Sequence, residues 1–114
     1  MVTNLSAPEV QALLVQHVGS ATPVLLDVRE DWELQTAPLK PASGHAVMHI
    51  PMRELPARLS ELDPEMPIVA ICHHGTRSMQ VAYFLAQNGF SEVINLAGGT
   101  EAWSLQVDPS VPRY

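Results

Sequence analysis

Pro67-Ile68-Val69-Ala70-Ile71-Cys72-His73-His74-Gly75-Thr76-Arg77-Ser78 passes from a continuous apolar run into a polar loop. A short apolar run without alternation is the pattern of a strand covered on both faces of a parallel sheet. Beyond the loop, the spacing predicts a helix from about Arg77 to Asn88. Val81, Ala82 and Leu85, with Tyr83 or Phe84 alongside, form its core stripe, and Asn88-Gly89 is a C-terminal stop. Cys72 therefore falls at the carboxyl end of a strand, the edge where open parallel sheets bind ligands. A loop this short turns several backbone N–H groups inward around the sulfur, and the helix start adds free N–H groups and partial positive charge. Such a cradle stabilises a thiolate and would equally hold a persulfide anion or an oxyanion. Gly75 permits the close backbone approach, Arg77 sets a forked cation beside the loop, and His73 and His74 add donors or charge at mildly acid pH.

Two more apolar runs repeat the strand pattern, at Pro23–Val28 and Glu92–Leu96, and Val47-Met48 reads as a two-residue strand. Helices alternate with them. Ser6 and Glu9 form a capping box ahead of Val10, Leu13, Leu14 and Val18, which predicts a helix over 7–18 closed by Gly19 and Ser20. Leu55, Leu59 and Leu62 mark a helix from about 53 to 62, with Pro56 tolerated in its first turn. A short helix runs through Trp103. Residues 29–46, with Pro38, Pro41 and Gly44, read mostly as loop, and the acidic run Glu30, Asp31, Glu33 as a solvated turn. Trp32 and Trp103 read as packing residues, and Asp27 either braces a loop or caps a turn. The alternation predicts one α/β three-layer domain over 1–114 with a mainly parallel central sheet flanked by helices. Its core spans about 5–105, and 106–114 form an extended tail.

Composition narrows the chemistry. The 114 residues are 46% hydrophobic, enough for one core without staples. Six Lys/Arg against twelve Asp/Glu give a net charge of −6, which argues against nucleic-acid and anionic-membrane partners. No run reaches the length of a membrane span, and no signal peptide is visible. Cys72 is the only cysteine, which excludes an internal disulfide, a CxxC pair and a multi-cysteine zinc site. A lone thiol suits a reducing compartment, here the cytoplasm. Adjacent Cys72, His73 and His74 are poorly placed to converge on one ion, and His45 and His49 read as loop histidines, so no metal or organic cofactor is expected.

The segment Cys72-His73-His74-Gly75-Thr76-Arg77-Ser78 resembles the active-site loop of rhodanese-like sulfurtransferases. Leu25-Leu26-Asp27-Val28-Arg29-Glu30 resembles that family's first strand and following turn. Gly44-His45 through Ile50-Pro51-Met52-Arg53-Glu54-Leu55 resembles its second segment. Phe84-Leu85 through Gly89-Phe90, Val93, Leu96, Gly98-Gly99 and Ala102-Trp103 resembles its carboxyl-terminal signature. The resemblance implies that Cys72 accepts a sulfane sulfur as a persulfide from thiosulfate or a similar donor. A thiol, cyanide or protein acceptor then removes it. It also maps residues 73–77 onto the cradle of the transferred atom, and Asp27 and Arg29 onto supporting positions. Gly44-His45-Ala46-Val47-Met48-His49 departs from the family's Gly-His-Ile-Pro-Gly-Ala, which bears on acceptor contacts more than on Cys72.

Two other readings share these residues. Cysteine phosphatases and arsenate reductases also set a thiolate before a helix, but their loop is one residue longer and wide enough for a tetrahedral oxyanion. Only four residues separate Cys72 from Arg77 here, a size better suited to one sulfur atom. A non-catalytic persulfide carrier or sulfide-sensing module would use the same cysteine, and the presence of both Cys72 and Arg77 argues against an inactive docking module.

Overall fold

The computed structural model describes residues 2–16, 23–41 and 45–114. The expected helix end at Gly19 and Ser20, and Gly44 of the second segment, lie outside the described residues. Five strands form one sheet in the order β1-β5-β4-β2-β3: β1 (Val2–Leu5), β2 (Val24–Asp27), β3 (Val47–His49), β4 (Ile68–Ile71) and β5 (Val93–Leu96). Every pairing is parallel. The central strand β4 lies between β2 and β5, so Cys72 leaves the middle of the sheet at its carboxyl edge.

Period-two alternation along β4 explains the three layers. Ile68, Ala70 and Cys72 join a core with Leu26, Val81, Leu85 and Phe90, under α4 (Thr76–Gln87). Val69 and Ile71 point the other way, into a core with Val10, Leu14, Ile94 and Trp103, under α1 (Ala7–Gln16) and α5 (Gly99–Gln106). Both faces of β4 and β5 are buried along their whole length, β4 through an unbroken apolar run and β5 through one interrupted only by Asn95. The Ser6 capping box forms: Ser6 N–H donates to Glu9 Oε1 at 2.9 Å, and Glu9 N–H to Ser6 Oγ at 3.3 Å.

Three expectations change. The fifth strand, β1, is an edge strand whose middle residues are exposed, and it carries no apolar run to betray it. Within 29–46, expected mostly as loop, Asp31–Thr36 form α2, begun by a capping box between Glu30 and Glu33. The helix expected over 53–62 is one α-helical turn, α3 (Leu55–Arg58), between 3-10 turns at Met52–Glu54 and Leu59–Glu61. Pro56 sits in its first turn, where a missing N–H costs nothing. Among the described residues no helix is long and apolar enough to cross a membrane.

Candidate active site

The loop from β4 to α4 closes around the Cys72 sulfur. Cys72 is 1% exposed, its Sγ covered by this loop. Gly75 N–H donates to Sγ at 3.0 Å and Ser78 N–H at 3.4 Å, while the Ser78 hydroxyl lies 3.2 Å away. The turn requires Gly75: its φ is +98°, and a Cβ there would stand 3.0 Å from the Gly98 nitrogen. Gly98 and Gly99 carry α5 against the same loop. Thr100 N–H donates to the Cys72 carbonyl at 2.9 Å and Glu101 N–H to the His73 carbonyl at 3.1 Å. A side chain at Gly99 would overlap both carbonyl oxygens. Carbonyls of the loop are thus tied to one helix start, leaving its N–H groups facing the sulfur, the arrangement that favours a bound anion.

Behind the sulfur a polar chain absent from the sequence reading runs from buried Ser78 and Asn95 out to exposed Asn4. Ser78 donates to Asn95 Oδ1 at 2.5 Å, and Asn95 donates to Asn4 Oδ1 at 2.8 Å and to the Gly75 carbonyl at 3.3 Å. Asn95 occupies an interior position of an otherwise apolar strand, which is the signal it left in the sequence. An open groove of about 460 Å³ flanks the loop, lined by Asn4, His74, Gly75, Thr76, Tyr83 and Asn95 among others.

Asp27 and Arg29 form a buried bidentate pair, with Nη2 2.8 Å from Oδ2 and Nε 2.9 Å from Oδ1. Burial is the largest influence and opposes the Arg29 charge, but the Asp27 hydrogen bonds and charge, with Tyr114, together outweigh it and raise the pKa. Arg29 also donates to the Ala37 carbonyl at 2.9 Å and to the Tyr114 hydroxyl at 3.1 Å, and the pair thereby fixes the β2–α2 corner beside the loop. His49 takes part in the same corner, its Nε2 2.6 Å from the Arg29 carbonyl oxygen.

Glu33 is the residue that sequence reasoning placed wrongly. The acidic run was expected as a solvated turn, yet Glu33 is 3% exposed and holds Arg77 in a fork, at 2.7 and 2.9 Å. The Arg77 hydrogen bonds, working against burial, push the Glu33 pKa down to about 2, and the same bonds raise Arg77. Their only foresign in the sequence is Glu33 standing three residues after Glu30, in capping-box register.

The tail also differs from expectation. It turns at Asp108, buries Val111, and brings Tyr114 to the loop. The Tyr114 ring stacks on His73 at 3.8 Å and 10°, its hydroxyl donates to Glu33 Oε2 at 2.7 Å, and Trp32 meets it edge-on. Trp32, expected as a packing residue, is 59% exposed apart from that edge, whereas Trp103 is buried as expected. His73 stacks on His74 as well, and burial, then the neighbouring His74, lowers its pKa.

A single cysteine thus stands in a backbone N–H cradle at the carboxyl edge of an open parallel sheet. Residues 10–106 match the rhodanese-like domain family, and the chain belongs to that family. It is 36% identical to the putative sulfurtransferase YtwF of Bacillus subtilis over 85 residues, covering 75% of this chain and 77% of that protein. It is 38% identical over 117 residues to rhodanese-like/PpiC domain-containing protein 12, chloroplastic, of Arabidopsis thaliana, spanning 99% of this chain but only 38% of that longer protein. A rhodanese-like domain protein from Staphylococcus aureus superposes with a TM-score of 0.74 at 27% identity, covering 89% of this chain and 90% of that one.

Proposed function

We infer that this chain is a rhodanese-type sulfurtransferase that carries a sulfane sulfur on Cys72, between thiosulfate or a similar donor and a thiol, cyanide or protein acceptor. The observation that carries the reading is Sγ at the floor of a loop whose Gly75 and Ser78 N–H groups point at it.

In the first half-reaction the Cys72 thiolate attacks the outer sulfur of thiosulfate. The new S–S bond forms as the donor's S–S bond breaks, and its electron pair leaves with sulfite. The persulfide keeps one negative charge, which the N–H groups of the 73–78 turn and the start of α4 stabilise. In the second, a nucleophile attacks the outer sulfur and takes it away, returning the thiolate. Electron pairs on sulfur suffice for both steps. Arg77 at the end of the loop, forked to Glu33, lines the approach of an anionic donor together with His73 and His74. Asp27 and Arg29 support the corner on which the loop rests. Since Cys72 has no second thiol in the chain to resolve it, the sulfur leaves to an external acceptor, and a reducing compartment such as the cytoplasm suits the site.

Thiocyanate formation from thiosulfate and cyanide, compared between the protein and Cys72→Ser, is the test. The expected result is turnover that the substitution abolishes. Release of phosphate from an aryl phosphate, lost in Cys72→Ser and with no thiocyanate formed, would assign the loop to oxyanion hydrolysis instead.

A further inference from the structure

The cation at the mouth of the loop is already occupied. All five arginines hold carboxylates: Arg29 holds Asp27, Arg53 holds Glu30, Arg58 holds Glu54 and Glu61, Arg77 holds Glu33 and Arg113 holds Glu101. The sixth cation, Lys40, lines a separate groove with Asp108. Glu33 is pinned in its pose from two sides, by the fork to Arg77 and by the Tyr114 hydroxyl, which the His73 stack and the tail hold in place. A donor at the mouth therefore meets a neutral pair on a chain of net charge −6, and the backbone N–H groups are the fixed positive potential it finds there. A doubly charged donor loses twice what a singly charged one loses from this cancellation.

We propose that Glu33, held by Tyr114, is a specificity-determining residue that cancels the Arg77 charge and so disfavours doubly charged sulfur donors relative to singly charged ones. The proposal rests on the sulfur-transfer reading above. Glu33 acts through Arg77 and touches no reacting atom, so it is a positioning residue. It belongs to a structural pair as well, and the discriminating readout is a donor ratio rather than activity alone.

Two donors of like chemistry supply that ratio. Thiosulfate is a dianion that releases sulfite. An arenethiosulfonate is a monoanion that delivers the same outer sulfur and releases a sulfinate. The ratio of kcat/KM for thiosulfate to that for the arenethiosulfonate is expected to rise about fivefold to tenfold in Glu33→Gln, which keeps shape and removes charge. Glu33→Asp keeps the charge, and its ratio is expected to stay within about twofold of the unsubstituted protein although its fork to Arg77 is shortened. A purely structural role would move both variants alike. The unsubstituted protein gives an independent check if a variant fails to fold. Between about 10 mM and 1 M salt, where the screening length drops from about 30 to 3 Å, its thiosulfate kcat/KM should stay level or rise. A steep fall would mean an unmasked cation and overturn the proposal, as would an unchanged ratio in Glu33→Gln. Cys72 acquiring sulfur from neither donor would overturn the sulfur-transfer reading, and the charge filter with it; sulfur acquired from both at an unchanged ratio would overturn the filter alone.

Discussion

Two acid–arginine pairs start from the short stretch that ends β2 and opens α2, and they serve different ends. Asp27 and Arg29 are two residues apart, 1% and 0% exposed, and every Arg29 nitrogen has an acceptor nearby. Glu33 and Arg77 are 44 residues apart and join α2 to α4, with Glu33 buried and Arg77 about one-third exposed at the mouth of the loop. The first pair is closed upon itself and can only hold the fold. The second has one side facing solvent, where the proposed charge filter would act on a donor. A buried ion pair is weak evidence for stability, because desolvation offsets much of its attraction. Where each pair ends therefore says more about its use than its bond lengths do.

The largest effect is expected at the buried Asp27–Arg29 pair. Asp27→Asn leaves the Arg29 guanidinium buried without its counter-charge and should cost about 3–5 kcal/mol of stability. Chemical denaturation measures it, and a loss below about 1 kcal/mol would place the scaffold role elsewhere. Acid titrates the second pair. Glu33 has its pKa lowered from 4.5 to about 2 in the folded chain, so its contribution is complete above pH 4.5 and is lost as pH falls toward 2. That contribution is about 3 kcal/mol by linkage. The stability gap between the unsubstituted protein and Glu33→Gln should close over this window, and a gap independent of pH would contradict the pairing.

Arg77→Ala should have the next largest effect, about 2 kcal/mol, less than at Asp27 because Arg77 is partly solvated. It also leaves a lone carboxylate at the mouth, so thiosulfate turnover should fall further than stability alone explains. Unchanged kinetics would remove Arg77 from the site. Tyr114→Phe keeps the ring on His73 and deletes only the hydroxyl that Arg29 and Glu33 share. Its cost should be about 1 kcal/mol by thermal unfolding, and a neutral result would mean the tail is held by Val111 and packing instead.

The strand–loop–helix around Cys72 was legible in the sequence because everything that makes it is local. An apolar run, a glycine with positive φ and a helical stripe are neighbours along the chain. The same holds for the Ser6 capping box. Glu33, Asn95 and Tyr114 were not legible as site residues, since their partners stand 44, 17 and 81 residues away, at Arg77, Ser78 and Glu33 respectively. An acidic run looks solvated until a distant arginine is brought to it. Edge strand β1 escaped notice for a related reason: its one covered side is supplied by β5, at the other end of the sequence.

The proposed function turns on whether Cys72 accepts a sulfur atom. Intact-mass measurement of the protein after incubation with thiosulfate and removal of excess donor tests that most directly. The expected result is a gain of one sulfur atom, located on the peptide containing Cys72, removed by cyanide and absent from Cys72→Ser. An unchanged mass, or the same gain in Cys72→Ser, would contradict it.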